Sequence, residues 1–195
     1  MSELILGGQK SGKSRLAEDR ARAWLAQSGQ HRAILIATAL PFDEEMQQRI
    51  ARHRADRAQR VPGMQTIEEL RDVAATIRLH SDPNTLLVVD CLTLWLTNLL
   101  MPASGVFLEQ KGQVAGIYTA QSATDLIAFL PDTLKQSKGP VVCVSNEIGL
   151  GVIPLGREVR HFVDELGKLN QAVAAQCARV TLMVAGCPVL CKGVA

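Results

Sequence analysis

The stretch "ELILGGQKSGKS" constrains this chain more than any other, because Gly7, Gly12, Lys13 and Ser14 fit G-x-x-x-x-G-K-[ST] directly after an aliphatic run and ahead of a helical pattern. Strand, glycine-rich turn and helix in that order make a P-loop, whose backbone amides curl around phosphate oxygens. The nucleotide cradle is then Gly7, Gly8, Gln9, Lys10, Ser11, Gly12, Lys13 and Ser14. Lys13 reaches the outer phosphates and Ser14 offers its hydroxyl to magnesium.

A chain that opens this way should continue as alternating strands and helices, and it does. "RAILIATA", "TLLVVD", "GPVVCVSN", "RVTLMVAG" and a terminal "PVLCK" are short runs of β-branched and aliphatic residues bounded by Gly, Pro, Asp or Asn. Such runs read as strands buried on both faces, as in a parallel sheet. Between them the patterns predict helices over Lys13 to Gln27, Asp43 to Gln59, Ile67 to Leu79, Leu92 to Leu100, Thr124 to Ser137 and Arg157 to Ala178. Pro131 should end or kink the helix that contains it. Met101 to Thr124 carries scattered Gly and no sustained period, so it reads as a long loop. The expectation is one α/β domain over residues 1–195 with a mainly parallel central sheet flanked by helices.

Composition narrows the classes further. A net charge of +2 gives no bulk attraction to nucleic acid, and no apolar run approaches the ~20 residues that cross a bilayer. The chain opens into a strand pattern without a signal peptide, which points to the cytoplasm. Cys91, Cys143, Cys177, Cys187 and Cys191 are odd in number and lie in or beside apolar runs, so they read as buried free thiols.

A P-loop needs a carboxylate on a neighbouring strand to act on the metal, and Asp90 ends "TLLVVD". Asn146 and Glu147 end another strand, and carboxyl ends of parallel strands line the ligand crevice. The most unusual stretch is "RIARHRADRAQR", where His53 stands among Arg49, Arg52, Arg54, Arg57 and Arg60. At about 3.6 residues per turn, Met46, Ile50, His53 and Arg57 share one stripe, with Arg49 and Arg60 at its edges, so His53 faces the protein. Arg54, Arg57 or Arg60 can grip a triphosphate, and their charge disfavours imidazolium, leaving His53 neutral and able to attack phosphorus. The plainer alternative is a half-buried packing histidine beside a solvated arginine face; His161 competes as nucleophile, while His31 and His80 read as loop residues.

Taken together, "GGQKSGKSRLAE", "IATA", "DEEMQQRIARHRADR", "VVDCLTLWLTNLL", "VSNEIGLGVIP" and "RHFVDELGKLNQ" resemble the bifunctional adenosylcobinamide kinase and adenosylcobinamide-phosphate guanylyltransferase family over nearly the whole chain. The resemblance implies a RecA-like P-loop fold assembled as a homotrimer. It also implies two reactions: phosphorylation of adenosylcobinamide by a nucleoside triphosphate, then transfer of GMP from GTP through a covalent histidine-GMP intermediate. On this chain the guanylylated residue is His53, with Lys13 catalytic in the phosphate cradle. Further nucleotide contacts fall at Ala37, Thr38, Ala39, Arg54, Ala55, Asp56, Arg57, Glu68 and Asp90, and the metal contacts at Ser14 and Asp90. The implied cofactor is Mg2+, with GTP, and ATP as an alternative phosphoryl donor, as substrates. Met64 stands where many members carry a tryptophan. Two other readings remain open: a kinase with one activity, and a nucleotide-dependent switch that controls a partner.

Overall fold

A computed structural model describes residues 2–40, 43–101 and 120–194, with side chains throughout except at Arg49 and residues 120–122. The elements run β1 (Ser2–Gly7), α1 (Lys13–Leu25), β2 (Arg32–Ala37), α2 (Glu44–Arg60), β3 (Gln65–Glu68), α3 (Val73–His80), β4 (Thr85–Asp90) and α4 (Leu92–Leu100). After residues 102–119 come α5 (Ala120–Gln136), β5 (Val141–Val144), α6 (Arg157–Gln176), β6 (Arg179–Val184) and β7 (Cys187–Lys192). The strands form one sheet in the order β3-β2-β4-β5-β1-β6-β7. Every pairing is parallel except β6 with β7. The α/β expectation and the mainly parallel sheet therefore hold.

Alternation along the strands supplies two cores. Leu4, Ile34, Ile36, Leu87, Val89, Val141 and Cys143 face the side covered by α3, α4, α5 and α6, around a fully buried Trp95. Ile5, Ala33, Leu35, Leu86, Val88, Val142 and Val144 face Ala17 and Ala21 of α1, with Met64 packed at the margin. Strands buried on both faces are what helices on both sides of a parallel sheet require.

Several boundaries differ from the sequence reading. The helix expected from Ile67 is a short edge strand, β3, followed by a bend and then α3, which Asp72 caps by accepting a hydrogen bond from Ala75 N at 2.8 Å. The apolar residues Ile67, Leu70 and Ile77 share a helical period, but the cap lies between them and resets the chain. α5 starts at Ala120, four residues before Thr124, and runs through Pro131 to Gln136 without ending there. Proline removes one amide from the ladder, and the helix continues because its far turns are fixed by Leu130 and Leu134 in the core. The rest of the expected loop, residues 102–119, lies outside the described residues.

The strand that carries Asp90 is not next to β1. β5 intervenes, paired to β4 on one side and to β1 on the other. Cysteine burial divides too: Cys91, Cys143 and Cys177 are buried, whereas Cys187 and Cys191 are exposed on the edge strand β7. Burial drives the Cys177 thiol up to about 11 and pushes the Cys143 thiol well above its ordinary value, so both remain protonated packing groups.

Candidate active site

The register of the sheet assembles the site before any side chain is considered. Glu68 pairs with Ala37, Ala37 with Asp90, Asp90 with Val144 and Val144 with Ile5, so one row runs across the sheet to the strand that feeds the P-loop. These are the carboxyl ends of parallel strands, where a ligand crevice opens.

At β1 the chain must turn at once into α1, and the turn is built to leave room for backbone only. A Cβ on Gly7 would lie 2.6 Å from Met183 O and from Ser11 Oγ, so any side chain there would displace the neighbouring strand. Gly12 caps α1 at φ 100°, in the left-handed region that glycine adopts freely. The turn between β6 and β7 braces the loop from outside, Gly186 N donating to Ser11 O at 3.0 Å. Lys13, 8% exposed, donates from Nζ to Gly8 O at 2.6 Å, so its ammonium is already curled over the cradle. Ser11 Oγ is buried without a hydrogen-bond partner, a polar atom that a phosphate oxygen suits.

Next to this cradle lies a cavity of about 120 Å³ lined by Ser14, Leu35, Ala37, Ala39, Met46, Ile50, His53, Arg54, Arg57, Glu68, Asp90, Cys91 and Leu94. The expected stripe of α2 is therefore real: Met46, Ile50, His53 and Arg57 all face it. His53 nevertheless is exposed rather than packed inward, because the stripe overlooks an open cleft and not the core. Arg49, placed at the edge of that stripe, has its side chain outside the described set.

The remaining candidates divide by where their side chains go. Arg54 pairs with Glu68 across the cavity wall, and Arg57 donates to Thr66 Oγ1 at 3.3 Å. Burial lowers the Arg57 pKa, opposed by the charges of Glu18 and Asp90, but a guanidinium starts high enough to stay charged. Arg60 turns away from the cavity, its Nε 3.2 Å from Glu18 Oε2 and its Nη2 3.5 Å from Asp56. Ala55 and Asp56 are exposed and do not line the cavity.

Thr38 is fully buried; its hydroxyl donates to Cys91 O and accepts from Cys91 N, each at 2.8 Å, which ties the ends of β2 and β4 together. Glu147 reaches the P-loop through its backbone, its N donating to Gly7 O at 3.1 Å, whereas Asn146 N donates to Thr93 Oγ1 of α4 at 2.9 Å.

Sequence reasoning missed Cys91 and Glu18. Cys91 lines the cavity, but burial and the neighbouring Asp90 charge raise its thiol to about 11, so it is no nucleophile near neutral pH. Glu18 stands four residues after Ser14, on the same face of α1, and that spacing was the available signal. His161 is exposed on α6 and lines neither this cavity nor the one of about 470 Å³ between α6 and residues 148–154. His31 stacks on Trp24 at 3.8 Å, and His80 ends α3.

What sheet, cradle and cavity define is a class: a P-loop protein that handles nucleoside phosphates at the carboxyl edge of a parallel sheet. Within that class, residues 3–191 match the family described as cobinamide kinase / cobinamide phosphate guanyltransferase, and the chain belongs to it. It is thus a bifunctional transferase of that family. A bifunctional adenosylcobalamin biosynthesis protein of Pseudomonas aeruginosa is 45% identical over 193 residues, covering 99% of this chain and 98% of the relative. A protein of the same description from Escherichia coli is 34% identical over 192 residues, covering 98% of this chain and all of the relative. Among solved structures, a protein from Pyrococcus horikoshii aligns with a TM-score of 0.52 at 8% identity, over 100% of this chain and 87% of its own, and shares the fold alone. Among the described residues no helix is long and apolar enough to cross a membrane.

Proposed function

We propose that this chain, acting as one catalytic domain, phosphorylates the aminopropanol hydroxyl of adenosylcobinamide and then converts the product to adenosylcobinamide-GDP. In the first step the hydroxyl oxygen attacks the γ-phosphorus of GTP or ATP, loses its proton, and the bond to the β-phosphate breaks to release the diphosphate. In the second, a ring nitrogen of His53 attacks the α-phosphorus of GTP and expels pyrophosphate. An oxygen of the cobinamide phosphate then attacks the same phosphorus, breaking the P–N bond and freeing His53. The observation that carries this reading is that His53 lines one cavity with Ser14 and Asp90, beside the Lys13 cradle.

Ser14 and Asp90 fit magnesium by their donor set, since a hydroxyl and a carboxylate are the hard oxygens that ion takes while keeping waters and phosphate oxygens as its other ligands. Bound there, Mg2+ would neutralise charge on the phosphates. The residues do the rest. P-loop amides and Lys13 hold the β- and γ-phosphates, because phosphoryl transfer asks mainly for positioning and cationic stabilisation. Arg54 and Arg57 offer planar forks to phosphate oxygens once they leave Glu68 and Thr66.

A cavity of about 120 Å³ is well below the roughly 300 Å³ at which ligand pockets begin, so α2 has to draw back, or the nucleotide has to lie across the open mouth. Two nucleotide poses or two positions of α2 follow for the two half-reactions. Assembly as a cytoplasmic homotrimer belongs to the same proposal. It is supported by the family resemblance, by buried reduced thiols, and by the exposed apolar residues Leu150, Val152, Ile153 and Leu155, which suit burial against another subunit.

Incubation with α-labelled GTP tests the central claim. Wild-type protein should acquire acid-labile, base-stable label; His53→Ala should acquire none while keeping cobinamide kinase turnover, and His161→Ala should label normally. Label that persists in His53→Ala and disappears in His161→Ala would move the nucleophile to α6.

A further inference from the structure

We propose that Glu18 is a positioning residue for the guanylyl half-reaction: its carboxylate, inside the protein under α1, tethers Arg60 and faces Arg57, and so fixes where α2 holds His53 over the cavity. The inference rests on His53 being the nucleophile.

α2 carries little apolar anchorage. Of its described side chains only Met46, Ile50, Arg57 and Arg60 are even half-buried, and Val61 enters the core just beyond its last turn. Its placement therefore depends on arginine contacts. Arg54 with Glu68 is an exposed pair, and Arg57 with Thr66 a long hydrogen bond, contacts of a kind that holds a helix weakly. Arg60 with Glu18 differs, because Glu18 is 5% exposed. Its Oε2 is buried without a hydrogen bond, so the guanidinium charge at 3.2 Å is what compensates that oxygen. A buried charge left without its partner is costly, which makes this contact specific about geometry even where its net stabilisation is small.

The connection has a direction. Glu18 lies one turn beyond Ser14 on α1, and Arg57 and Arg60 lie one and two turns beyond His53 on α2. The γ-phosphate centre is held by the P-loop, Ser14 and Asp90, which lie on β1, α1 and β4. α2 adds the Arg54 and Arg57 forks, but above all it carries the nucleophile itself. Cutting the tether should therefore damage the step that uses His53 and spare the one that does not.

Glu18→Gln keeps the shape and removes the charge. The test measures, in one preparation, the single-turnover rate of labelling by saturating α-labelled GTP, the kinase kcat with adenosylcobinamide, and the melting temperature. Labelling should slow by roughly ten- to a hundredfold, the scale of loss from misplacing a reacting group by ~1 Å, with kinase kcat held and the melting temperature at neutral pH no lower than that of wild type. Arg60→Met should give the same loss of labelling relative to kinase turnover, at a lower melting temperature because it leaves the Glu18 carboxylate buried without its partner, and the double variant should label no worse than the poorer single one. Unchanged labelling in Glu18→Gln overturns the inference and leaves His53 as nucleophile. Equal loss of both activities together with a lower melting temperature makes Glu18 a structural residue and also overturns it. No label in wild-type protein removes the nucleophile and the tether together. Should Glu18→Gln not fold, the ratio of activities in Arg60→Met decides.

Discussion

α1 and α2 wall the same cavity, but α1 buries Lys13, Ala17, Glu18 and Ala21 against the sheet, whereas α2 buries none of its described side chains and rests on arginine contacts. α1 also begins at a loop locked between β1 and the β6–β7 turn, through Gly7 against Met183 and Gly186 against Ser11. α2 begins at Asp43, whose side chain caps Met46 N at 2.7 Å from an exposed position. Segments held by exposed polar contacts open more readily than those packed in a core. The difference matches the two proposed reactions: phosphoryl transfer needs a fixed cradle, while the histidine that must reach the innermost phosphorus sits on the element that can shift.

The largest effect should come from the fixed side. Lys13→Ala removes a donor that both half-reactions use to hold the triphosphate, so kinase kcat and guanylylation rate should each fall by about 10²- to 10³-fold, measured with adenosylcobinamide and with α-labelled GTP. A loss confined to one activity would mean that the cradle serves only that step, and the division between a shared α1 and a dedicated α2 would fail.

Stability should show the same asymmetry at smaller scale. Thr38→Val deletes a fully buried hydroxyl that both donates to and accepts from the Cys91 backbone; Cys91 O keeps its bond from Trp95 N, but Cys91 N is left unpaired, at a cost of about 1–3 kcal/mol. Arg54→Ala breaks a pair in which both side chains are more than half exposed, and such pairs contribute about 0–1 kcal/mol. Urea unfolding of both variants checks the contrast. Equal losses would show that α2 is held as firmly as the strand ends.

Much of the rigid side was legible in the sequence, and less of the other. The P-loop motif, the aliphatic strands and α4 over Leu92–Leu100 carry strong local signals, because buried parallel strands must be continuously apolar. β3 escaped since "QTIE" is a four-residue edge strand with three exposed positions, so neither periodicity nor run length marks it. Its consequence is functional: as part of the expected helix Glu68 had no reason to meet Arg54, yet the sheet register sets it in line with Ala37 and Asp90. Strand order was beyond reach as well, since nothing local tells Val141–Val144 to insert between β4 and β1. The α2 stripe was read correctly in phase, but its burial was overstated because the pattern gives a direction and not what fills the space there.

The smallest effect lies where the two helices meet. Burial is the leading influence on Glu18 and raises its pKa above the usual carboxylate value, with Arg60 and Arg57 opposing and Asp90 adding to the rise. A raised folded-state pKa means that the unfolded chain gives up this proton more easily. The stability contributed by Glu18 is therefore fully present below its unfolded pKa of about 4.5 and is lost as pH rises through the higher folded value. Glutamine does not titrate, so the melting temperature of Glu18→Gln relative to wild type should rise between acid and neutral pH. A relative fall over the same range would show that the arginines outweigh burial, making the tether a net stabilising ion pair and α2 better anchored than its exposed surface implies.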